Sequence, residues 1–221
     1  MNVVEVIKQR TSTRAFLDKP VARETIEDLL NVVRWAPSSA NTQPCHVAIL
    51  MSELKERLGE EIIAARESGQ SERPDFPYYP NEWVDPYKSR RRACGLALYR
   101  SLNIGKNDNE KRKQVWYNNY RFFGAPVGLL FLLDKQMGQS ALVDIGIFMQ
   151  TLMLAAPAFG LATCPQASLA EFPDIAREVL GLSDELVLVS GMSLGYPDAS
   201  AAVNQYRTAR AELDEFVKWY E

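Results

Sequence analysis

The sequence predicts one domain of the α+β class, and three observations support this prediction. First, the 221 residues are 47% apolar and 24% charged, a globular composition in a chain long enough to bury a full core. Second, three short apolar segments, at 47–51, 127–134 and 185–194, are typical of strands, and we expect 47–51 to be a short buried strand. Third, segments with helical periodicity lie between them. We therefore expect residues 1–221 to form a single domain, with a β-sheet flanked by helices.

Helical periodicity is clearest in residues 22–36, where apolar residues recur three and four positions apart from Ile26 to Val33. The segment 140–160 is apolar nearly all round, so we expect it to be a buried central helix. Segment 127–134 is apolar throughout, which is typical of a central strand buried on both faces. The other predicted helices are 3–9, 52–66, 90–102, 108–121 and 171–180.

Residues 67–92 differ in character from the rest of the chain. Four prolines between Pro74 and Pro86 alternate with aromatic residues, which excludes a regular helix and predicts a long ordered loop. Its aromatic side chains either cover a ligand or fix the loop to the core.

Charge and hydropathy exclude several classes of protein. The net charge of −3 argues against a protein that binds nucleic acid or a membrane surface. No uninterrupted apolar run reaches the length of about 18 residues that a membrane span needs. Because Glu5 and Lys8 interrupt the N-terminal apolar residues, the chain does not begin like a signal peptide. We therefore expect a cytoplasmic protein.

The cysteines and the histidine do not suggest a metal site. Cys45, Cys94 and Cys164 are far apart and odd in number, so we expect reduced and mostly buried thiols. His46 is the only histidine, and its place before an apolar run predicts a packed structural residue. There is no P-loop and no GxGxxG motif. Metal-dependent or triad hydrolysis is therefore disfavoured, and any nucleotide is not bound in the Rossmann manner.

Residues 9–16, which read QRTSTRAF, contain two arginines and three hydroxyls and no acid. If this segment is extended, Arg10, Ser12 and Arg14 project to one side, because side chains alternate with period two. Two guanidiniums and a hydroxyl on one side suit a phosphate, which arginine binds in a bidentate manner. The alternative is a solvated surface charge.

Residues 35–46, which read WAPSSANTQPCH, join a predicted helix to a predicted strand. A connection so rich in small hydrogen-bonding residues can bring its backbone and amides against a flat polar heterocycle. The alternative is a turn with capping residues.

Together, the two segments resemble the FMN-dependent nitroreductase family. That family has an Arg-x-Ser-x-Arg/Lys-x-Phe motif, here RTSTRAF, and then an Ala/Ser-Pro-Ser-x-x-Asn-x-Gln-Pro motif, here APSSANTQP. Three later segments are similar to the family's central helix with its flavin-contacting turn, its last core strand and its C-terminal phosphate contact: DIGIFMQTLMLAAPAFGLATCP, GMSLGYPD and NQYRTARAELDEF. The divergent part, 67–117, corresponds to the family's variable substrate cover.

The resemblance implies a mostly antiparallel sheet flanked by helices, in a domain-swapped homodimer with FMN at the interface. Arg10, Ser12 and Arg14, with the Thr11 backbone, would bind the phosphate and ribityl end. An arginine of the C-terminal segment would reach the same phosphate. Arg207 and Arg210 are both candidates for this arginine, and the spacing to LDEF favours Arg210.

The resemblance also implies contacts to the isoalloxazine ring. Several residues of the second motif would reach it from the other subunit: Pro37, Ser38, Ser39 and Asn41. Further expected contacts come from the later segments: Asn119, Pro165, Gln166, Ala167 and Gly191. Some relatives have an acidic residue followed by glycine where this chain has CPQAS, which leaves open any side-chain contact by Gln166 or Ala167 but not the backbone contacts.

The activity that the resemblance implies is ping-pong transfer of a hydride from NADH or NADPH, through flavin N5, to a nitroaromatic or quinone acceptor. The flavin carries this chemistry, so we expect no dedicated catalytic residue. The expected substrate-stacking rings are those of loop 76–87 with Tyr117, Tyr120, Phe122 and Phe123.

Three alternatives remain open. A reductive dehalogenase or a flavin-fragmenting enzyme would use the same scaffold. A non-catalytic flavin carrier would bind FMN without turnover. An α+β interaction domain would bind no flavin, and its arginines would be surface charge.

Overall fold

Four strands form one sheet in which every neighbouring pair is antiparallel, in a computed structural model that describes residues 2–221. The strands are β1 (Cys45–Met51), β2 (Val127–Asp134), β3 (Ala162–Gln166) and β4 (Leu186–Gly195). Their order across the sheet is β1-β2-β4-β3. This confirms the predicted α+β class and the antiparallel sheet.

Eight α-helices lie around this sheet within residues 2–221. They are α1 (Val3–Gln9), α2 (Arg23–Val33), α3 (Ser52–Glu67), α4 (Tyr87–Ser101), α5 (Asn109–Tyr117), α6 (Ala141–Ala155), α7 (Pro173–Leu180) and α8 (Ala202–Gln205). One buried cluster joins α2 and α6 to one face of the sheet, and a second joins α3 and α7 to the other face.

The two strands predicted to be buried differ in the structure. Strand β2 lies between β1 and β4, and its first seven residues are buried, as predicted. Strand β1 is at the edge of the sheet, and only Leu50 in it is buried. His46 on this edge strand is exposed, so the prediction of a packed histidine was wrong.

Strand β3 was not predicted as a strand, because ATCPQ is short and contains a proline. Pro165 is opposite Met192 of β4, on a strand at the sheet edge. A proline is tolerated on an edge strand because no neighbour needs its missing N–H. The segment expected to be a turn is therefore a strand that ends where the turn begins.

The central helix is buried on only one side. It ends at Ala155, and Pro157 lies in a following 3₁₀ turn, Ala156–Phe159. Ile145 and Leu152 are fully buried, whereas Val143 is 66% exposed. The prediction of a helix buried all round was therefore wrong for a single chain.

The segment Ala141–Phe159 has the length and composition of a membrane span, with a mean hydropathy of 1.6. A core helix of a soluble protein has the same properties, so this finding is weak support for a span.

The proline-rich loop is shorter than predicted, because α4 begins at Tyr87. Phe76 packs against the core, whereas Tyr78 and Tyr79 are 39% and 54% exposed. The loop is therefore fixed to the core at one aromatic residue and presents others to solvent.

The expected stacking role of the aromatic residues before β2 was mostly wrong. Tyr117, Tyr120 and Phe122 belong to the buried core, so their rings are not available to a substrate. Phe122 also contacts Gly128 so closely that a Cβ at Gly128 would lie 2.5 Å from its ring. Phe123 is half-buried and remains a candidate.

Candidate functional site

The two ends of the chain meet in a cleft of about 450 Å³. Six of the predicted site residues line it: Arg10, Thr11, Ser12, Arg14, Arg207 and Arg210. The structure therefore brings together the residues of the first motif and both C-terminal arginines. We call this space the arginine cleft.

The first motif lies in an extended conformation between β3 and the C-terminal segment. The Thr13 N–H donates to the Thr163 carbonyl at 3.0 Å, and Thr13 is buried. The Arg14 N–H donates to Asn204 Oδ1 at 2.7 Å, and Asn204 Nδ2 donates to the Ala15 carbonyl at 2.8 Å. With Thr13 facing inward, the alternation of side chains turns Ser12 and Arg14 into the cleft, as predicted.

The Arg10 guanidinium is repelled by two neighbouring positive charges. Burial lowers its pKa, and the positive charges of Arg210 and Arg207 lower it further. An anion placed among these three groups would relieve the repulsion. The electrostatics of Arg10 therefore favour an anionic ligand.

Arg14 is held in place by uncharged groups. Its Nη1 donates to the Tyr206 hydroxyl at 3.1 Å and to the Ser12 carbonyl at 3.3 Å. Its guanidinium carbon is 6.0 Å from the centroid of the Phe123 ring. These contacts position the Arg14 guanidinium but do not neutralise its charge.

The two C-terminal arginines differ in their contacts. Arg207 Nη1 donates to the Lys8 carbonyl at 3.0 Å and to the Gln9 carbonyl at 3.3 Å, at the carboxyl end of α1. Arg210 donates only to its neighbours Thr208 and Ala209. Arg207 therefore ties the C-terminal segment to α1, whereas within residues 2–221 the Arg210 guanidinium hydrogen-bonds only inside its own segment.

None of the four cleft arginines forms an ion pair with an acid within residues 2–221. Buried or half-buried charges are normally paired, because removing a charge from water is costly. Arg10 and Arg14 are half-buried without such a partner, whereas Arg207 and Arg210 are exposed. Guanidiniums that lack an acid in one cleft suit a dianionic phosphate.

The second motif lies in another cavity, of about 240 Å³, which shares no lining residue with the arginine cleft. Pro37 and Ser38 line this second cavity. Three non-glycine residues in this segment have positive φ: Ala40, Asn41 and Gln43. Such conformations cost energy and cluster at ligand sites.

Asp144 holds this strained segment against α6. This buried carboxylate accepts from the Ser39 N–H at 3.0 Å. The contact explains why a charged residue lies in an otherwise apolar helix, because Asp144 fixes the segment that contains Ser38, Ser39 and Asn41.

The predicted residues around the end of β3 form a buried support. Gln166 Nε2 donates to the Asn119 carbonyl, and the Ser193 hydroxyl is within hydrogen-bond distance of Gln166 Oε1. Both the Nε2 and the Oε1 of Gln166 therefore already have hydrogen-bond partners within the protein. Pro165 and Ala167, on either side of it, are half-buried.

Gly191 is a packing residue in the structure. It is buried opposite Gln166, and a Cβ there would lie 2.2 Å from Leu169 Cδ1. Only glycine allows the turn after β3 to approach β4 so closely.

No sequence motif pointed to several of the residues that line the arginine cleft: Ile7, Lys8, Cys94, Val203, Asn204, Tyr206 and Thr208. Asn204 and Tyr206 position Arg14, and both lie in the C-terminal segment, where only the arginines were expected to be site residues. Cys94 comes from α4, inside the divergent region, where no motif pointed to it.

This chain is similar to known proteins over nearly its whole length. The nitroreductase family profile matches residues 7–196. The 4-nitrobenzoate reductase of Pseudomonas putida is 38% identical over 211 residues, which cover 96% of this chain and 92% of that protein. The chloronitrobenzene nitroreductase of Comamonas testosteroni is 37% identical over 213 residues, which cover 96% and 94% of the two chains.

A solved structure is similar throughout. The FMN and NADPH-dependent nitroreductase NfnB from Sphigopyxis sp. strain HMH matches with a TM-score of 0.96 and 35% identity, covering 100% of both chains. Since profile, relatives and fold agree over nearly the whole length, this chain belongs to the nitroreductase family.

Proposed function

We propose that this protein is an NAD(P)H-dependent nitroreductase that uses FMN and reduces nitroaromatic compounds, with quinones as a second acceptor class. The observation that carries the proposal is the arginine cleft, where four guanidiniums from both chain ends converge without an acidic partner within residues 2–221. Two relatives act, by their names, on 4-nitrobenzoate and chloronitrobenzene.

The residues of the cleft fit the phosphate end of FMN. Arg10, Arg14 and Arg210 provide charge-assisted donors, and Ser12 adds a hydroxyl. Arg207 holds the C-terminal segment on α1, which keeps Arg210 near Arg10. The FMN phosphate would supply the negative charge that no acidic side chain supplies to these arginines.

The end of β3 fits the flavin ring. Gln166, fixed by Asn119 and Ser193, holds the backbone of Pro165 and Ala167 in place. A rigid backbone edge can present an N–H donor to the ring at no cost of reorganisation. We expect backbone contacts from these residues and no contact from the Gln166 side chain.

When bound, FMN would supply the redox chemistry, which we propose is ping-pong hydride transfer from NAD(P)H to the acceptor. The protein binds, orients and shields these partners. We assign no side chain as a catalytic acid or base.

We also propose that the protein is a cytoplasmic homodimer with the flavin at its interface. Val143 on α6 is 66% exposed, although the helix is strongly apolar. The cavity lined by Pro37 and Ser38 lies beside this helix, because Asp144 and Phe148 line it too. A second copy packed on this face would bury the apolar side chains and bring the second motif to the flavin.

The C-terminal arm, residues 216–221, supports the same proposal. Trp219 and Tyr220 are 80% and 90% exposed. Large exposed aromatic residues on an extended arm are typical of an interface with another chain. A domain-swapped dimer would cover them.

The visible spectrum of the purified protein, recorded under argon before and after addition of NADPH or NADH, tests the proposed activity. We expect a yellow protein that the reductant bleaches and that a nitroarene re-oxidises. A yellow protein that stays oxidised would instead be a flavin carrier. A colourless protein that takes up no FMN would contradict the proposal.

Light scattering during gel filtration tests the dimer. We expect the mass of two chains, and we expect Val143→Asp to weaken the dimer because it places a charge on the apolar face. A monomer that binds FMN fully would contradict the interface site.

A further inference from the structure

We propose that the exposed basic surface of α4 and α5 attracts the polyanionic reductant, NADPH or NADH, towards the flavin site by long-range electrostatic attraction. The proposal rests on the nitroreductase function proposed above and assigns the encounter with the reductant to one surface of the chain.

Basic residues are concentrated in residues 87–117, which contain α4, α5 and the loop between them. This segment has nine basic and two acidic residues, whereas the rest of the chain has 16 basic and 26 acidic residues. A net charge of +7 therefore lies on one segment of a chain whose total charge is −3. We call this segment the basic cover.

Most of these charges lie on the surface without an acidic partner. Eight of the nine basic side chains are exposed, and Arg112 is partly buried. Two pair with acids from outside the basic cover: Arg90 with Glu215 at 2.8 Å and Lys113 with Glu67 at 3.0 Å. The other six exposed side chains form no ion pair among residues 2–221. Their charges therefore act on ligands in solution.

The two acids of the basic cover are held by hydrogen bonds within it. Asp108 Oδ2 accepts from the Gly105 N–H at 2.7 Å, and Glu110 Oε1 accepts from Gln114 Nε2 at 3.2 Å. In the part of the chain that the structure describes, neither carboxylate forms an ion pair. The surface therefore keeps its net positive charge.

Helices α4 and α5 present their charges together. The Arg112 guanidinium carbon of α5 is 4.0 Å from the Tyr99 ring centroid of α4, which is a close cation–π contact. This contact joins the two helices, so their charges add on one surface.

The basic cover borders both parts of the proposed flavin site. On α4, Cys94 lines the arginine cleft. Helix α5 ends at Tyr117, and two residues later the Asn119 carbonyl accepts from Gln166 Nε2 at the end of β3. A ligand attracted to this surface therefore arrives beside the proposed phosphate site and the proposed ring site.

The charge of this surface distinguishes the reductant from the acceptor. NADH has a doubly charged pyrophosphate, and NADPH adds a 2′-phosphate of about −1.5 to −2 at pH 7, whereas a neutral nitroarene or quinone has no charge. A surface of one sign can raise the association rate of an oppositely charged ligand by about 10- to 1000-fold, and salt screens the effect. The acidic remainder of the chain repels the same reductant, so approach over the basic cover is favoured.

Anaerobic stopped-flow reduction of the FMN-loaded enzyme tests the proposal. The second-order rate constant of flavin bleaching is measured with NADPH, with NADH and with N-benzyl-dihydronicotinamide, which has the same reducing ring and no charge. Between about 20 and 300 mM salt, we expect this rate constant to fall about tenfold for NADPH, about threefold for NADH and less than about twofold for the neutral reductant.

A triple variant reverses three of the unpaired charges of the basic cover: Arg92→Glu, Lys106→Glu and Lys111→Glu. None of these residues lines the arginine cleft. We expect the low-salt rate constant for NADPH to fall about tenfold or more and to lose its salt dependence, while the neutral reductant stays within about twofold. Circular dichroism and the flavin content verify that the variant is folded and loaded.

The matched control reverses three exposed charges outside the basic cover: Arg57→Glu, Arg73→Glu and Lys135→Glu. Its net charge equals that of the first variant, so only the location of the change differs. We expect the rate constant for NADPH to fall less than about threefold and to keep its salt dependence.

Several results would overturn the proposal. If salt affects the charged and neutral reductants alike in the wild-type enzyme, no surface attracts the reductant. If the control slows NADPH as much as the first variant does, the total charge matters and the basic cover does not. If the first variant leaves NADPH unchanged, or slows the neutral reductant equally, the basic cover does not act on the encounter.

Bleaching of the wild-type flavin tests the proposed function separately. An enzyme that the reductants bleach and a nitroarene re-oxidises, but whose rates ignore salt, keeps the proposed function and loses the role of the basic cover. A flavin that none of the three reductants bleaches would overturn both.

Discussion

Two arginine-containing clusters in this molecule place their guanidiniums in opposite environments. In the arginine cleft, Arg10 lies close to Arg207 and Arg210, and no acid pairs with any of them within residues 2–221. At the other cluster, Arg66 pairs with Glu72 and with Glu171 Oε2, the latter at 2.6 Å.

In the second cluster, Arg66 has several partners. Arg66 also donates to the Tyr120 hydroxyl, and that hydroxyl is 2.8 Å from Glu171 Oε2. The Arg66 guanidinium carbon lies 5.3 Å from the Phe172 ring centroid. We call this set, with Trp116, the matched cluster. It ties α3 to the turn after β3, and each of its three charged side chains has a partner of opposite charge.

This difference in surroundings distinguishes arginines that bind a ligand from an arginine that stabilises the fold. A guanidinium with acids around it stabilises the fold, whereas guanidiniums without acids cost stability until a ligand arrives. Variants in the two clusters should therefore affect different quantities.

The largest effect is expected in the matched cluster. Arg66→Ala should lower the free energy of unfolding of the apo-protein by about 2–4 kcal/mol, because Glu171 and Tyr120 lose their partner in a partly buried position. Urea denaturation followed by circular dichroism measures this. Arg23→Ala, which breaks the exposed Arg23–Glu27 pair, is the control and should cost less than about 1 kcal/mol. Equal losses in the two variants would contradict the distinction.

The second effect belongs to the arginine cleft. Arg10→Ala should weaken FMN binding by about 1.5–3 kcal/mol, the range for hydrogen bonds to charged groups, while the apo-protein keeps its stability because a repelled charge is removed. Fluorescence titration with FMN measures the affinity. Arg57→Ala, an exposed arginine on α3, should leave it unchanged. Unchanged FMN affinity in Arg10→Ala would refute the phosphate assignment.

A smaller effect separates the two C-terminal arginines. Arg210→Ala should weaken FMN binding by about 1–2 kcal/mol with little change in stability. Arg207→Ala should weaken FMN binding less, and only indirectly. It should instead loosen α1, whose terminal carbonyls at Lys8 and Gln9 lose a donor. Hydrogen exchange of α1 detects this loosening. If Arg207→Ala has the larger effect on affinity and none on α1, the roles are reversed.

The smallest effect concerns thiol reactivity. Burial raises the pKa of Cys45 to about 12 and that of Cys164 to about 11, so at pH 8 about 0.1% or less of either thiol is ionised. We expect iodoacetamide to label Cys94 first, and labelling of the other two to increase with pH. Because Cys94 lines the cleft, FMN should slow its labelling, as mass spectrometry of the tryptic peptides would measure. Labelling of Cys94 at the same rate with and without FMN would place the ligand elsewhere.

The sequence predicted the parts of the site that depend on local pattern. The alternation in QRTSTRAF was enough to place Ser12 and Arg14 on one side, because an extended segment has only one such period. The apolar run of β2 was enough to place it at the sheet centre.

The rest depended on contacts between distant segments, which no local pattern records. Asn204 and Tyr206 position Arg14 across about 190 residues of chain, and Cys94 joins the cleft from the divergent region. The rings of Tyr117, Tyr120 and Phe122 were misjudged because composition does not reveal which aromatic side chains turn into the core. Strand β1 was misjudged because apolar content cannot distinguish an edge strand from a central one when another chain can cover the edge.

The most direct test of the arginine cleft compares FMN with riboflavin, which lacks the phosphate. Calorimetric titration of the apo-protein should give an FMN affinity at least about 100-fold above that of riboflavin, because several charge-assisted hydrogen bonds reach the phosphate. Arg10→Ala should remove about tenfold or more of that difference while riboflavin binds as before. Equal affinity of the wild-type protein for the two flavins would contradict the assignment of Arg10, Arg14 and Arg210 to the phosphate.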